Sequence, residues 1–175
     1  MKKSFLVMLL SACTCTSVIL TSCKKDDVTE TNPTEGLTKQ AEGYAAGAAI
    51  KVMVYTKETT VYSGYQKFYV ALYDSLSGNM IEDAHVKLTP MMDMGMMQHS
   101  APYEDPASEE AVNKLYPCSV FFVMSSMGGT WTVKVNVHNY STGKEGAVTF
   151  PITVAEPVKA RMKSFTAAHD GGKYF

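Results

Sequence analysis

The sequence predicts an all-β domain, built as a two-sheet antiparallel sandwich of about seven strands. Apolar and polar residues alternate with a period of two in six segments, and short polar turns separate those segments. No long segment keeps the helical period. About 115 residues remain once the two ends of the chain are set aside, which is the size of one domain. Each predicted strand has one apolar face, and packing two sheets together hides all of these faces.

The six segments are expected to bury every second residue. The inward-facing residues are Ile50, Val52 and Val54; Phe68, Val70 and Leu72; Ala84, Val86 and Leu88; Tyr116, Cys118, Val120, Phe122 and Met124; Trp131, Val133, Val135 and Val137; and Val148, Phe150, Ile152 and Val154. Turns are predicted at residues 77–79 and 141–144, and Gly128-Gly129 predicts a hairpin. A short seventh strand is expected near residues 59–62.

Two further predictions rest on local signals. Pro151 lacks an amide hydrogen, so the last strand is expected at a sheet edge or at a bulge. Residues 108–114 are the one helical candidate, because Ser108 is a good N-cap residue and Glu109 and Glu110 would lie in the first turn. The proline-punctuated segment from Pro90 to Pro106 is expected to form a loop.

The N-terminus, residues 1–22, is predicted to be a lipoprotein signal peptide. Lys2 and Lys3 precede an apolar run that is too short for a permanent membrane span. Leu20-Thr21-Ser22-Cys23 resembles the bacterial lipobox, which implies cleavage before Cys23 and acylation of that cysteine. Acyl chains contribute about 0.8 kcal/mol per buried methylene and hold a protein to a bilayer. The alternative is an ordinary secretory signal or a membrane anchor.

Residues 23–44 are expected to be the lipidated cysteine and a flexible tether, because bulky apolar side chains are almost absent there. Lys24-Lys25-Asp26-Asp27 resembles the short export signal of surface lipoproteins in the Bacteroidota. The resemblance implies an outer-membrane lipoprotein, at the cell surface or on the periplasmic face. The alternative is that these charges only keep the tether solvated.

Residues 45–156 are assigned to the sandwich domain, and residues 157–175 to a linker followed by the start of a second copy of the domain. Gly171-Gly172-Lys173-Tyr174-Phe175 repeats the order of glycine, lysine and two aromatic residues seen in residues 64–69. Chance similarity is the alternative explanation.

Composition argues against several classes of function. The formal net charge is −1, so the chain lacks the basic footprint of a nucleic-acid-binding protein. No nucleophile elbow, zinc-protease motif or phosphate loop is present, which argues against an enzyme. After signal removal and lipidation, Cys118 would be the one free thiol. It is expected to be a small core residue, with a copper ligand as the alternative.

Five of the seven residues 91–97 are methionine, and His99 follows. Thioether sulfur and imidazole together form a ligand set suited to copper, especially Cu(I). The candidate ligands are Met91, Met94, Met97 and His99, with Met96 as an alternate. Met124 and Met127 would come near if the Gly128-Gly129 turn lies at the same end of the sandwich. His85 and His138 are expected to be solvated on outward strand faces.

Four stretches carry a resemblance to a known family: residues 84–94, His99-Ser100-Ala101-Pro102, residues 116–122 and Gly129-Thr130-Trp131-Thr132-Val133. Together they resemble the YtkA-like family, which is related to FixH-type proteins. The resemblance implies an immunoglobulin-like sandwich over about residues 45 to 155, with a methionine-rich and histidine-containing loop. Copper-handling sandwiches of the CopC-like kind offer an analogy for that loop.

Two hypotheses of different classes follow. In the first, the domain binds or delivers Cu(I) through the methionine-rich segment, while acylated Cys23 holds it to outer-membrane lipid. In the second, the domain binds no metal, and flexible methionines form an adaptable surface that contacts another envelope protein or domain.

Overall fold

The computed structural model describes residues 32–158, together with the backbone of residues 165–166 and 173–174. The signal peptide and Cys23 lie outside the described residues, and so do the first residues of the tether. Both sheets of the sandwich and its buried core lie between Thr38 and Ala155. Residues 32–158 therefore contain a complete core of their own and form one folding unit. The described part of the chain has no helix that is long and apolar enough to cross a bilayer.

The secondary structure is almost entirely β. The strands are β1 Thr38–Ala45, β2 Ile50–Thr56, β3 Val61–Tyr62, β4 Gly64–Asp74, β5 Ala84–Asp93, β6 Gln98–Ser100, β7 Tyr103–Glu104, β8 Tyr116–Phe122, β9 Thr130–Asn139, β10 Lys144–Ile152, β11 Val154–Ala155, β12 Phe165–Thr166 and β13 Lys173–Tyr174, with one 3₁₀ turn at Ser126–Gly128. The first sheet has the order β1-β2-β4-β8-β7, and the second has the order β10-β9-β5-β6. All neighbours within these two sheets are antiparallel.

The strand order is that of an immunoglobulin-like sandwich. Strands β2-β4-β8-β7 correspond to A-B-E-D, and strands β10-β9-β5-β6 correspond to G-F-C-C′. Strand β1 is added beside A. Strands β3 and β11 form a short parallel pair, which accounts for the seventh strand expected near residues 59–62. Strands β12 and β13 pair with each other, and the expectation of a second domain copy stays a prediction.

The core is formed by the inward-facing residues of both sheets, as the alternation predicts, except that Met124 lies beyond β8 and is 36% exposed. Phe122 packs edge-on against Trp131, with ring centroids 5.1 Å apart, and against Phe68 at 6.0 Å. All three rings are completely buried. Such aromatic pairs stabilise a fold by about 0.5–1.5 kcal/mol beyond the burial of their area. The Trp131 indole donates a hydrogen bond to the Met124 carbonyl at 3.0 Å, which ties the segment after β8 to the core.

The domain begins earlier than predicted, because part of the expected tether is strand β1. The alternation of apolar residues did not reveal this strand, because the residues at its inward-facing positions are small. A Cβ atom at Gly43 would lie 2.9 Å from Val148 Cγ2 and 3.0 Å from Phe150 Cε1. Strand β10 of the second sheet thus packs directly against β1, and bulky side chains would not fit. Pro151 lies on β10, which is an edge strand as expected.

The predicted helix at residues 108–114 is wrong. Ser108 Oγ accepts a hydrogen bond from the Glu110 amide at 3.0 Å, as a cap would, but no helix follows. Two backbone bonds instead fasten the segment beside β5: Ala84 N–H donates to Glu109 O, and Ala111 N–H donates to Glu82 O. Asn113 and Lys114 then adopt positive φ, which ends any helical path.

The prediction that Cys118 is a core residue is confirmed. Its side chain is 1% exposed, and its thiol donates a hydrogen bond to the Tyr116 carbonyl at 3.5 Å. Burial raises the pKa of the Cys118 thiol far above its usual range, and the nearby charge of Asp105 raises it further. The thiolate, which is the reactive species, is therefore strongly disfavoured in the folded domain.

We expect Cys118 to resist alkylation while the domain is folded. A chain of residues 32–158 has no other cysteine. At pH 8, iodoacetamide should modify it at least about a thousandfold more slowly in buffer than in urea, because the reaction requires unfolding. Mass spectrometry of timed samples measures both rates. Similar rates in the two conditions would contradict the buried placement.

A candidate methionine site at one end of the sandwich

The methionine-rich segment is a tight β-hairpin rather than the expected loop. Strand β5 continues through Asp93, and β6 returns from Gln98. The Met94 N–H donates to the Met97 carbonyl at 2.9 Å and closes the turn. Gly95 occupies the turn with φ 83°, a conformation that glycine adopts without steric cost. The hairpin therefore presents its methionines in a defined register.

That register separates the methionines onto two faces of the sheet. Met92 pairs with Trp131 on one side and with His99 on the other, so these three residues share the inner face. Met92 and Trp131 are both completely buried. Met91 is one residue earlier, so it lies on the outer face, beside Thr132.

Met94 and Met97 lie on the inner face, two residues beyond Met92 and His99 respectively. They face each other across the turn, because the pairing of Asp93 with Gln98 brings the next residues of both strands together. Of the four predicted ligands, Met94, Met97 and His99 thus share one face. The expectation that Met91 converges with them is wrong, because the sheet separates it from that face.

The segment after β8 brings a further methionine to the same end. It was predicted to be a hairpin at Gly128-Gly129, and this prediction is wrong. Strands β8 and β9 belong to different sheets, and the segment crosses between them through the 3₁₀ turn. The crossing passes beside the end of β5, because a Cβ at Gly129 would lie only 2.4 Å from the Asp93 carbonyl oxygen. Met124 and Met127 therefore do lie at the methionine-rich end, although the local structure differs from the expected one.

Three methionine side chains meet at Gly128, two of them through their terminal methyl groups and Met124 through its sulfur. A Cβ built on this glycine would lie 3.6 Å from Met92 Cε, 3.8 Å from Met94 Cε and 3.9 Å from Met124 Sδ. We call Met92, Met94 and Met124 the methionine cluster. Its members come from two segments that are far apart in sequence, and Met92 and Met124 were not among the predicted ligands. The sequence indicated Met124 as a conditional neighbour, whereas the burial of Met92 beside it follows from the pairing of β5 with β9.

Exposure increases outward from the cluster. Met92 is buried, whereas Met94 and Met124 are each 36% exposed. Met97 is more exposed, and Met96 and Met127 are almost fully exposed, at 99% and 89%. We call Met96, Met97 and Met127 the methionine rim. The end of the sandwich thus has thioethers at every depth, from the core to solvent.

His99 is the imidazole that belongs to this end. It lies on β6, the edge strand, and its side chain is exposed. Its position opposite Met92 puts it on the face that also carries Met94 and Met97. Among the described residues, no three His, Cys, Asp or Glu side chains surround a common point. The chemistry that this end offers is therefore that of thioethers with one imidazole.

No family model, no curated protein and no solved structure matches this chain. The resemblance to the YtkA-like family stays an expectation drawn from the residues. The site is interpreted from its own geometry.

The contact between the two segments gives a test with a matched control. Gly129→Ala should lower the free energy of unfolding by about 1–3 kcal/mol, because its Cβ would overlap the Asp93 backbone, which cannot move freely. Gly128→Ala should change stability far less, because its nearest neighbour lies at 3.6 Å, an ordinary contact distance. Urea denaturation of both variants measures the difference. Equal effects would show that the crossing segment does not pack against β5.

Proposed function

We propose that this domain binds a soft monovalent metal ion, Cu(I), at the methionine-rich end of the sandwich. Met94 and Met124 are the central ligands, Met97 and His99 complete the set, and Met92 forms the buried floor. The observation that carries the proposal is the convergence of the Met92, Met94 and Met124 side chains beside Gly128. Cu(I) prefers soft sulfur ligands and also accepts imidazole, and this chain concentrates both at one end.

The surroundings of the cluster suit a weakly hydrated monovalent ion. Trp131 and Phe122 form an apolar wall beneath Met92, and they exclude water from one side. The partly exposed Met94 and Met124 leave an entry route from solvent. An apolar shell of this kind controls solvent access to a metal and favours its less charged state. Thioethers are neutral, so they hold a single positive charge more readily than a double one.

The sequence supports a cellular setting for this activity. Acylation of Cys23 would anchor the domain to outer-membrane lipid, and the residues that follow would lift it off the bilayer. The domain would then hold copper in the envelope or deliver it there, at the cell surface or on the periplasmic face. It would do so as a binding protein and not as an enzyme, in keeping with the resemblance to YtkA-like domains.

A second candidate function is supported by the methionine rim. Met96 and Met127 are almost fully exposed, although burial would be favourable for side chains of this kind. Exposed methionines are typical of adaptable contact surfaces, because the unbranched side chain fits many shapes. In this alternative the rim contacts another envelope protein or domain, and the methionine cluster only supports it.

Removal of the cluster thioethers should weaken Cu(I) binding. In residues 32–158, Met94→Leu with Met124→Leu should raise the Kd for Cu(I) by at least about tenfold, which corresponds to about 1.4 kcal/mol. Leucine keeps the apolar volume and removes the sulfur ligands. Competition with a chromophoric Cu(I) chelator under anaerobic conditions measures the Kd.

Met91→Leu is the matched control for this experiment. Met91 belongs to the same strand but lies on the opposite face, so its variant should bind Cu(I) like the parent chain. If the Met94/Met124 variant also binds Cu(I) like the parent, the metal proposal fails. That result would favour the second candidate function, in which the methionine rim contacts another protein or domain. If the parent chain does not compete with the chelator at all, the metal proposal fails as well.

Membrane attachment is tested in the full-length chain. Cys23→Ser should move the protein from the membrane fraction to the soluble fraction, because the residue that would carry the lipid is lost. Cys15→Ser alters a cysteine inside the signal peptide and should leave the protein in the membrane fraction. Fractionation with immunoblotting reads out both variants, and a Cys23→Ser protein that stays with the membrane would contradict lipid anchoring.

A further inference from the structure

A pair of histidines with neighbouring carboxylates lies at the opposite end of the same sheet. His85 on β5 is directly opposite His138 on β9, and His138 is directly opposite Glu145 on β10. These residues share the outer face of the sheet, eight residues along β5 from the methionine hairpin. At the usual rise of a strand, the separation is about 25 Å.

Each of the two histidines is paired with a carboxylate through the same ring nitrogen. His138 Nδ1 lies 2.8 Å from Glu145 Oε1, and His85 Nδ1 lies 3.4 Å from Glu109 Oε1. Neither Nε2 atom has a hydrogen-bond partner among the residues that the structure describes. For His138, the hydrogen bond between Nδ1 and Glu145 favours the tautomer that leaves the Nε2 lone pair available.

Tyr140 joins the two pairs into one network. Its ring packs against the His138 ring, with centroids 4.9 Å apart. Interaction with the Glu109 carboxylate raises the pKa of Tyr140 above its usual value. Tyr140 thus packs against one histidine and interacts with the carboxylate beside the other.

The cluster borders an open depression of about 390 Å³ on the sheet surface. Its lining includes His85, His138 and Glu145, together with Lys87. Glu145 and Lys87 contribute opposite charges to this lining, and the Glu109 carboxylate adds a negative charge beside His85. The two carboxylates lie beside the imidazoles, where they favour a bound cation.

We propose that His85 and His138 bind a divalent transition-metal ion of the Zn²⁺ or Cu²⁺ type through their Nε2 atoms. Glu109 and Glu145 orient the rings through Nδ1 and strengthen them as ligands, and water completes the coordination. Directly opposite residues of antiparallel strands have Cβ atoms about 4.5–5.5 Å apart, a spacing from which two imidazoles can reach one ion. No three His, Cys, Asp or Glu side chains of the described residues converge to hold a metal ion, so the proposed site has two protein ligands.

The inference is independent of the proposed Cu(I) site in residues and in ligand chemistry. Imidazole nitrogen suits borderline divalent ions, whereas thioether sulfur suits soft monovalent ions. One domain would thus carry two sites of different preference at the two ends of one strand.

Zn²⁺ titration of residues 32–158 by isothermal calorimetry tests the inference. The parent chain should bind one Zn²⁺. His85→Asn and His138→Asn should each weaken the Kd by at least tenfold, and the double variant should show no heat of binding. Glu145→Gln should weaken binding more modestly than either histidine variant, because it removes an orienting partner and not a ligand.

His99→Asn is the matched control, since His99 lies at the other end of the sandwich. It should bind Zn²⁺ like the parent, and so should the Met94→Leu/Met124→Leu variant. Equal binding by the His85/His138 double variant and the parent would overturn the inference, as would an equal loss in His99→Asn. Absence of Zn²⁺ binding by the folded parent would also overturn it, and circular dichroism checks that each variant is folded.

Imidazole NMR signals provide a second readout that a merely structural role would not move. Saturating Zn²⁺ should shift the Nε2 resonances of both His85 and His138 and leave those of His99 in place. A shift confined to one of the pair would contradict joint coordination.

Discussion

The pairing of β5 with β9 is the constraint on which both candidate sites depend. Ten consecutive residue pairs connect the two strands, from Ala84 opposite Asn139 to Asp93 opposite Thr130. A shift of the register by one residue would move every side chain of β5 to the other face of the sheet. Trp131 opposes such a shift, because its buried ring packs against Phe122 and its indole binds the Met124 carbonyl. The same register determines which methionines reach the inner face and which histidines oppose each other on the outer face.

The two ends of β5 illustrate how a single strand supports different chemistry. At one end, the strand runs beyond the sandwich core into a hairpin. Its inward-facing Met92 is fully buried, whereas Met94, two residues later, is partly exposed. Buried apolar residues lie beneath Met94 and Met124 there, so these thioethers are partly shielded from water. At the other end, the outer face is open to solvent and carries carboxylates beside imidazoles. Burial and charge, and not the fold itself, separate the two environments.

The alternation of apolar residues was sufficient to predict the sandwich and most of its core. Strands with a bulky inner face, such as residues 131–137, agree with the prediction because burial is their dominant signal. Strand β1 was not predicted, because close packing against β10 requires small residues such as Gly43. Small residues leave no clear apolar alternation in the sequence. The predicted helix at residues 108–114 failed because hydrogen bonds to Glu82 and Ala84, distant in sequence, override the local cap signal.

The sequence indicated the type of ligand at the candidate site, but not which residues would lie together. The density of sulfur beside His99 predicts a metal site at residues 91–97, but spacing along the chain could not show which side chains share a face. Once the segment forms a hairpin, the period of two assigns Met92 and Met94 to one face and Met91 to the other. Met124 joins them only through the crossing between the sheets, a contact between distant segments that no local pattern in the sequence records.

Methyl NMR of the methionines during a titration with Ag⁺, a stable stand-in for Cu(I), tests the central claim most directly. The account predicts that the signals of Met92, Met94 and Met124 shift first and together, whereas the signal of Met91, on the opposite face of the same strand, stays in place. Shifts confined to the exposed Met96 and Met127, or shifts that include Met91 equally, would show that the thioethers react as independent surface groups. That result would contradict a metal site at this end of the sandwich.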